Sequence, residues 1–311
     1  MQRSVTIGSR GSALALRQSN LIAQQLAVRY PNTTFEVQVI KTRGDMVLDR
    51  PLADIGDKGL FVKELQKALL DGQIHLAVHS LKDLPTETPS GIVLAAVSTR
   101  EDVRDALIAR EATSLATLAP GARLGTSSRR RAAQLRCHRK DLDIRDLRGN
   151  LDTRLRKLDD GEYDAILAAA AGVRRLGLEA RITEYLPMEI SLPAPGQGAL
   201  AIEAREDDDD TREMLAVIND PAAYRATGAE RAFLGRLEGG CQIPIGAYAR
   251  EREGNLVLDG MVASLDGERL VRSTIRGPAD NWRRLGEDLA GQVLEMGAGD
   301  ILRQIWGPRR S

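Results

Sequence analysis

The sequence predicts an α/β protein made of two similar lobes joined by a crossover hinge, with a smaller α+β domain after them. Three observations carry this. Short apolar runs alternate with helical segments from Val5 onward, a rhythm that implies a largely parallel sheet covered by helices. The chain enters a second such series near Asp105 and returns through a Pro- and Gly-rich hinge, Leu192–Gly198. After about Pro221 the pattern becomes helix, loop, strands and two helices. Two α/β lobes joined by two crossings are the plan of bilobal ligand-binding proteins.

In the first lobe, Val5–Gly8 reads as a strand and Ala13–Val28 as a helix. Phe35–Lys41 alternates, with Phe35, Val37 and Val39 opposite Glu36 and Gln38. Leu60–Leu70 reads as a helix, and Ile74–His79 and Val93–Val97 as buried strands. The second lobe begins with Asp105–Ala109 as the crossing strand. Arg123–Gly125 leads into a basic helix from Arg129. Ile144–Leu147 is a strand, Leu151–Leu158 a helix, and Ala165–Ala169 a strand feeding a helix from Ala171. Ala199–Glu203 is a strand that returns to the first lobe. The acid run Asp207–Asp210 marks a helix start, where negative charge suits the dipole. Ala222–Leu237 is a helix; strands follow near Ala247, at Val257–Ala263 and at Leu270–Thr274, then helices from Asn281 and Ile301. The expected division is 1–98 with 198–217, 99–197, and 218–311.

Composition narrows the function. The chain has 311 residues, no formal net charge, 28% charged and 3% aromatic residues, which disfavours a nucleic-acid binder. No signal peptide and no membrane-length apolar run are visible, and two cysteines fit a reducing cytoplasm. The basic residues are nearly all arginine, and no lysine follows Lys157. Codon bias explains that, and so does a site that clamps carboxylates in a planar fork.

Position favours the second explanation. Thr126-Ser127-Ser128 stands where a helix begins, followed by Arg129, Arg130 and Arg131. Free backbone N–H groups, hydroxyls and the positive dipole end coincide there. The segment reads as an anion site or as an N-cap with a solvated basic face. Arg148 closes a strand, Arg154 lies one turn into the next helix, and Arg175 lies in the helix after the following strand. Gly8-Ser9-Arg10-Gly11-Ser12 repeats the arrangement in the first lobe and lacks the Gly-Lys-Ser/Thr ending of a P-loop. Open α/β sheets bind ligands at such strand ends.

Two further segments bear chemistry. His79-Ser80-Leu81-Lys82-Asp83-Leu84-Pro85 follows a buried strand and puts an acid/base candidate, Asp83, beside Lys82. The alternative is a surface Lys–Asp pair before a turn. His75 and His79 have the spacing of a helical metal pair, but they sit in a strand-like run, so no metal is expected. In Leu237-Glu238-Gly239-Gly240-Cys241-Gln242-Ile243-Pro244, the glycines leave space around a sulfur that a large group can reach. Cys137 is the only other cysteine and reads as a structural or surface cysteine on the basic helix.

Together these motifs resemble the hydroxymethylbilane synthase (porphobilinogen deaminase) family along nearly the whole chain. Thr42-Arg43-Gly44-Asp45, Lys58-Gly59-Leu60-Phe61-Val62-Lys63-Glu64-Leu65 and Leu147-Arg148-Gly149-Asn150 belong to the same match. The resemblance implies two periplasmic-binding-protein-like lobes and a C-terminal domain bearing the cofactor cysteine. It implies a transferase that joins four porphobilinogen molecules head to tail and releases ammonia at each step. The primer is a dipyrromethane held by a thioether, which the resemblance places on Cys241. Asp83 becomes the catalytic carboxylate. Ser80, Lys82, Thr126, Ser127, Ser128, Arg130, Arg131, Arg148, Arg154 and Gln197 become cofactor contacts. Arg10, Ser12, Arg148, Arg154, Arg175 and Arg205 become substrate contacts. Each charge-assisted contact to a pyrrole carboxylate contributes roughly 1.5–3 kcal/mol. Lys58 and Phe61 belong to a lid that spans 45–58 and its exit; Asp54 stands where many members carry a basic residue, which leaves Lys58 as the main lid cation. The resemblance further implies a cytoplasmic monomer with porphobilinogen as substrate and neither nucleic acid nor membrane as partner. The competing reading is a non-enzymatic bilobal protein that binds a small anion.

Overall fold

The computed structural model describes residues 3–42, 59, 62–238 and 243–306. In chain order, β1 (Arg3–Ser9), α1 (Ala13–Arg29), β2 (Thr33–Val39), α2 (Lys63–Leu70), β3 (Leu76–Ser80) and β4 (Ile92–Val97) come first. Next are β5 (Asp105–Ala109), β6 (Arg123–Gly125), α3 (Arg129–His138), β7 (Asp143–Arg145), α4 (Leu151–Asp159), β8 (Ala165–Ala169), α5 (Ala170–Arg175) and β9 (Glu184–Tyr185). The chain ends with β10 (Leu200–Arg205), α6 (Asp209–Leu215), α7 (Pro221–Arg236), β11 (Ile245–Arg252), β12 (Asn255–Ala263), β13 (Leu270–Pro278), α8 (Trp282–Val293) and α9 (Gly299–Trp306). Two compact units result, 1–101 with 198–224 and 102–197 with 225–311.

The first unit holds a five-stranded sheet in the order β2-β1-β3-β10-β4. Val5 and Ile7 of β1, Leu76 and Val78 of β3, and Leu200 and Ile202 of β10 face one core with Ile22 and Leu26 of α1. Those two helix residues lie four apart, so α1 turns one apolar stripe to the sheet. Ser12 caps α1 by accepting from the Ala15 N–H at 3.3 Å. On the other face, Leu65, Ala68 and Leu69 of α2 pack on Ala77.

The second unit repeats the plan in the order β7-β6-β8-β5-β9. Its C-terminal part is the antiparallel sheet β11-β12-β13 under α7, α8 and α9. Phe233 of α7 is fully buried there. Gly260 makes room for it: a Cβ at that position would lie 2.7 Å from Phe233 Cζ. The opposite side of this sheet meets the second-lobe core through Met261 and Ala263, against Ala133 and Leu192.

The sheets differ from the expected parallel ones in one respect. β10 runs antiparallel to both β3 and β4, and β5 runs antiparallel to β8 and β9. The cause is where each connection arrives. Leu200 pairs with Ser80 and Asp105 with Ala169, so both strands start at the C-terminal edge of their neighbour and must run back. β7 also begins and ends earlier than the expected Ile144–Leu147. Leu147 instead turns inward and is fully buried, and its backbone N–H and C=O are held by Ser127. The acid run behaves as expected: Asp208 caps α6 and accepts from the Thr211 N–H at 3.0 Å.

At the far end of the first sheet, His75 accepts the Thr6 N–H through Nδ1 at 3.0 Å. That bond requires a neutral ring at Nδ1. Burial lowers the His75 pKa, Asp208 opposes this, and Arg205 and Arg3 reinforce it. A histidine whose folded value lies below its ordinary 6.5 stabilises the fold above that pH and loses the contribution as pH falls below it. Unfolding free energy, measured by denaturant titration from pH 8 to 5, is expected to decline in the wild type. In His75→Asn, which keeps an acceptor without a titrating ring, the same interval is expected to be flatter.

Candidate functional site

In the first unit the candidate residues gather at the C-terminal edges of β1 and β3. These strands are parallel neighbours, with Gly8 opposite Ala77, so Arg10 and Ser12 leave the sheet beside the exit of β3. Gln18 of α1 is buried and donates through Nε2 to Ser80 Oγ at 3.0 Å. The chain then makes one tight turn over Leu81–Asp83. Leu81 and Leu84 are buried in a cluster with Val97 and Ala201, three positions apart on the inner side. The Leu81 N–H donates to Ala199 O at 3.0 Å, and the Leu84 N–H closes the turn on Leu81 O at 3.1 Å. With both leucines pinned, Lys82 is left half-buried and Asp83 exposed. Spacing of the apolar anchors therefore forces the carboxylate outward.

Arg205 does not join this group. β10 starts at the ligand edge and runs away from it, so Arg205 ends up beside Ile74 at the opposite edge. There it donates to the carbonyls of Leu69 and Ile74 and pairs with Asp208 at 2.9 Å. Arg205, expected as a substrate contact, is thus held by these three groups.

In the second unit the loop after β6 is built by its own hydroxyls. Thr126 Oγ1 accepts the Ser128 N–H at 3.2 Å. Ser127 Oγ donates to Leu147 O at 2.6 Å and accepts the Leu147 N–H at 3.1 Å. Ser128 caps α3 by accepting from the Arg131 N–H. Ser127 thus holds the segment that leads to Arg148. Asn150 caps α4 by accepting from the Thr153 N–H at 3.0 Å, and Arg154 of that helix donates through Nε to Gly149 O at 2.9 Å. Gly149 has φ +105°, and a Cβ there would lie 2.6 Å from Thr153 Cγ2, so the Arg148–Asn150 turn needs glycine. Arg148 and Arg154 are half-buried on this edge. Arg175 is half-buried at the last position of α5.

Arg130, Arg131 and Gln197, the expected cofactor contacts, gather in one place. All three are buried and converge on Asp105, whose side chain is fully buried. Arg130 Nη1 donates to Asp105 Oδ2 at 2.7 Å, and Arg131 Nε donates to Oδ1 at 2.9 Å. Ser191 Oγ and Gln197 Nε2 donate to the same carboxylate at 2.7 and 2.9 Å. Burial would raise the Asp105 pKa, but Arg130 and Arg131 outweigh it and hold the carboxyl well below the usual range. A carboxylate heading a buried strand takes the nearest cations.

Two guanidiniums against one carboxylate leave one excess positive charge in a buried place. Arg130 Nε is also buried and has no hydrogen-bond partner among the described residues. Both facts fit a polyanionic group at this edge, such as a dipyrromethane with its acetate and propionate side chains.

The Cys241 attachment loop and the lid residues Lys58 and Phe61 lie outside the described residues, as does Asp54. Cys137 is structural: its Sγ donates to Gly267 O at 2.8 Å, and burial pushes its pKa up. Among the described residues no group of His, Cys, Asp and Glu could hold a metal. Sequence reasoning missed Gln18, Asp105, Glu203 and Glu230. The last three are charges set in apolar surroundings, which is the signal that finds such residues. Glu230, fully buried on α7, accepts the N–H groups of Gly196 and Ala249 at 2.7 and 2.8 Å.

The family described as "Porphobilinogen deaminase, dipyromethane cofactor binding domain" matches residues 5–213, and "Porphobilinogen deaminase, C-terminal domain" matches 224–295. The porphobilinogen deaminase of Desulforudis audaxviator is 53% identical over 305 residues, covering 98% of this chain and 99% of that protein. That of Roseiflexus castenholzii is 51% identical, covering 97% and 99%, and that of Gloeobacter violaceus 52%, covering 98% and 95%. Among solved structures, a periplasmic substrate-binding protein of an ABC transporter from Coxiella burnetii aligns with TM-score 0.44 and 16% identity over 70% of this chain and 93% of its own. A lipoprotein of Bacillus subtilis aligns with TM-score 0.43 and 14% identity, covering 70% and 91%. The bilobal fold stands on the strand orders above and does not depend on these two. The reading as a non-enzymatic anion-binding protein gains nothing from relatives this similar along their whole length. The chain belongs to the porphobilinogen deaminase family.

Proposed function

We propose the division of labour by which this chain performs its family's reaction. That reaction joins four porphobilinogen molecules head to tail onto a dipyrromethane primer, releases ammonia at each step and yields hydroxymethylbilane. In this reading the 218–311 segment bears the primer on Cys241 by a thioether. The segments 1–98 with 198–217 and 99–197 supply the binding residues. When bound, the primer supplies the pyrrole end to which the first substrate is joined. The chain is read as a cytoplasmic monomer that takes porphobilinogen and neither nucleic acid nor membrane; no described helix is long and apolar enough to cross a membrane.

The observation that carries the reading is the exposed Asp83 carboxylate on a turn pinned by Leu81 and Leu84. Loss of ammonia develops positive charge on the substrate pyrrole. A carboxylate fixed beside that charge stabilises it most near the transition state. Asp83 can also hold the pyrrole N–H and move a proton at its carboxylate oxygens. Arg10, Ser12, Ser80 and Lys82 bind and orient at the same edge of the first sheet. Arg148, Arg154 and Arg175 take the carboxylates of primer and growing chain. Thr126, Ser127 and Ser128 act by shaping the loop, and Arg130, Arg131 and Gln197 by the charge and rigidity of the Asp105 cluster.

Three measurements test this. The intact mass of denatured wild type is expected to exceed the polypeptide by one dipyrromethane, an excess absent from Cys241→Ser; a bare mass in an active sample contradicts the attachment. Asp83→Asn, with primer confirmed by mass, is expected to slow single-turnover formation of enzyme–substrate complexes by roughly a hundredfold or more. Near-normal rates would remove Asp83 from the mechanism. Arg148→Leu is expected to impair primer loading or elongation with an unchanged circular dichroism spectrum, and Arg148→Lys to rescue only in part because an ammonium cannot form the planar fork. Equal turnover in all three proteins would exclude the Arg148 contact.

A further inference from the structure

The strand that leads to Asp83 is tethered on its α2 face by a buried histidine–glutamate contact. His79 and Glu203 have side-chain exposures of 4% and 0%, and His79 Nε2 lies 3.0 Å from Glu203 Oε2. The contact is a close approach of two polar atoms and not an aligned hydrogen bond, and neither atom has another partner among the described residues. The other oxygen, Oε1, accepts from Gln66 Nε2 of α2 at 2.9 Å. Glu203 stands at a register shift, where β10 bulges between Ile202 and Glu203 against β4. Bulges re-aim side chains and are enriched near active sites. Here the bulge accompanies a carboxylate within the core that faces the α2 side of β3.

Burying a lone carboxylate is costly. Here the imidazole stands 3.0 Å from one oxygen and the Gln66 amide donates to the other, so the carboxylate has polar company on both sides. The contact ties β3 to β10 one residue before Ser80. The Leu81–Asp83 turn follows at once, so any loosening of His79 is passed to the turn through a strand end only two residues long.

We propose that His79 and Glu203 are positioning residues for the reaction, with Gln66 as their support: they fix the exit of β3 and thereby the direction in which Asp83 points. The proposal rests on the reading of Asp83 as the catalytic carboxylate. A misplacement of about an ångström at a reacting group costs up to about a hundredfold in rate.

The test uses whole, primer-loaded protein confirmed by mass, with steady-state kinetics and amide hydrogen exchange of the Leu81 and Leu84 N–H groups. Glu203→Gln and His79→Gln are each expected to lower kcat about tenfold to a hundredfold, with KM nearly unchanged, because positioning acts in the transition state. Exchange at Leu81 and Leu84 is expected to quicken in both. The double variant is expected to be no slower than the slower single one, as for residues that act as one unit. In an Asp83→Asn background, Glu203→Gln is expected to speed exchange without slowing turnover further. Unchanged kcat and exchange in folded single variants, or fully additive losses, would overturn the proposal. If the His79 and Glu203 variants do not fold, Gln66→Met decides, since it strands no buried charge: kcat about threefold lower with quicker exchange supports the clamp, and wild-type values of both refute it. Full turnover in Asp83→Asn would instead sink the catalytic reading of Asp83, while the exchange measurement would still report whether the clamp exists.

Discussion

The second unit depends on one carboxylate. Asp105 is fully enclosed, and removing it would leave two guanidiniums in a place where an unpaired charge costs several kcal/mol. It accepts from Arg130, Arg131, Ser191 and Gln197 at once, so it joins the first turn of α3 to the segment through which the chain leaves the lobe. Arg130 Nη1 also donates to Leu192 O at 2.6 Å, and Gln197 Nε2 to Val103 O at 2.7 Å. Both crossing segments are thereby bound to one ion cluster. The cluster is also positive overall, so the tie between these segments and the excess positive charge come from the same atoms.

A similar economy governs the edges. β5 and β10 both begin at the C-terminal edge of a sheet, and so the crossings land where open α/β sheets present their loops. Asp105 lies at one landing. At the other, Gly198 has φ +94° and accepts the Glu101 N–H at 3.1 Å. A Cβ there would lie 2.4 Å from Glu101 O, so the two crossing segments can approach this closely only at glycine. The hydroxyls of Thr126, Ser127 and Ser128 serve backbone groups of the same edge.

Much of this was legible before any coordinate. The alternation of Val5, Ile7, Phe35 and Val37, and the stripe of Ile22 and Leu26, specify strand and helix because burial follows periods of two and about three and a half. The acid run before Thr211 and the Ser-Ser before Arg129 specify helix starts because capping is a local bond. Strand direction for β5 and β10 was not legible. Their apolar runs look the same in either direction, and only the point of arrival decides it.

The sequence by itself determined most of the elements, the family motifs and the Lys82-Asp83 pair between two apolar residues, because each depends on neighbours a few residues apart. The tertiary structure decided which acceptors the arginines meet. Arg130 and Arg131 are 25 and 26 residues from Asp105, and Arg205 is 131 residues from Ile74. His79 and Glu203 belong to different strands that become neighbours only when β10 returns to the first sheet. A guanidinium binds whichever acceptor the fold brings within about 3 Å, and that distance is not a property of local sequence.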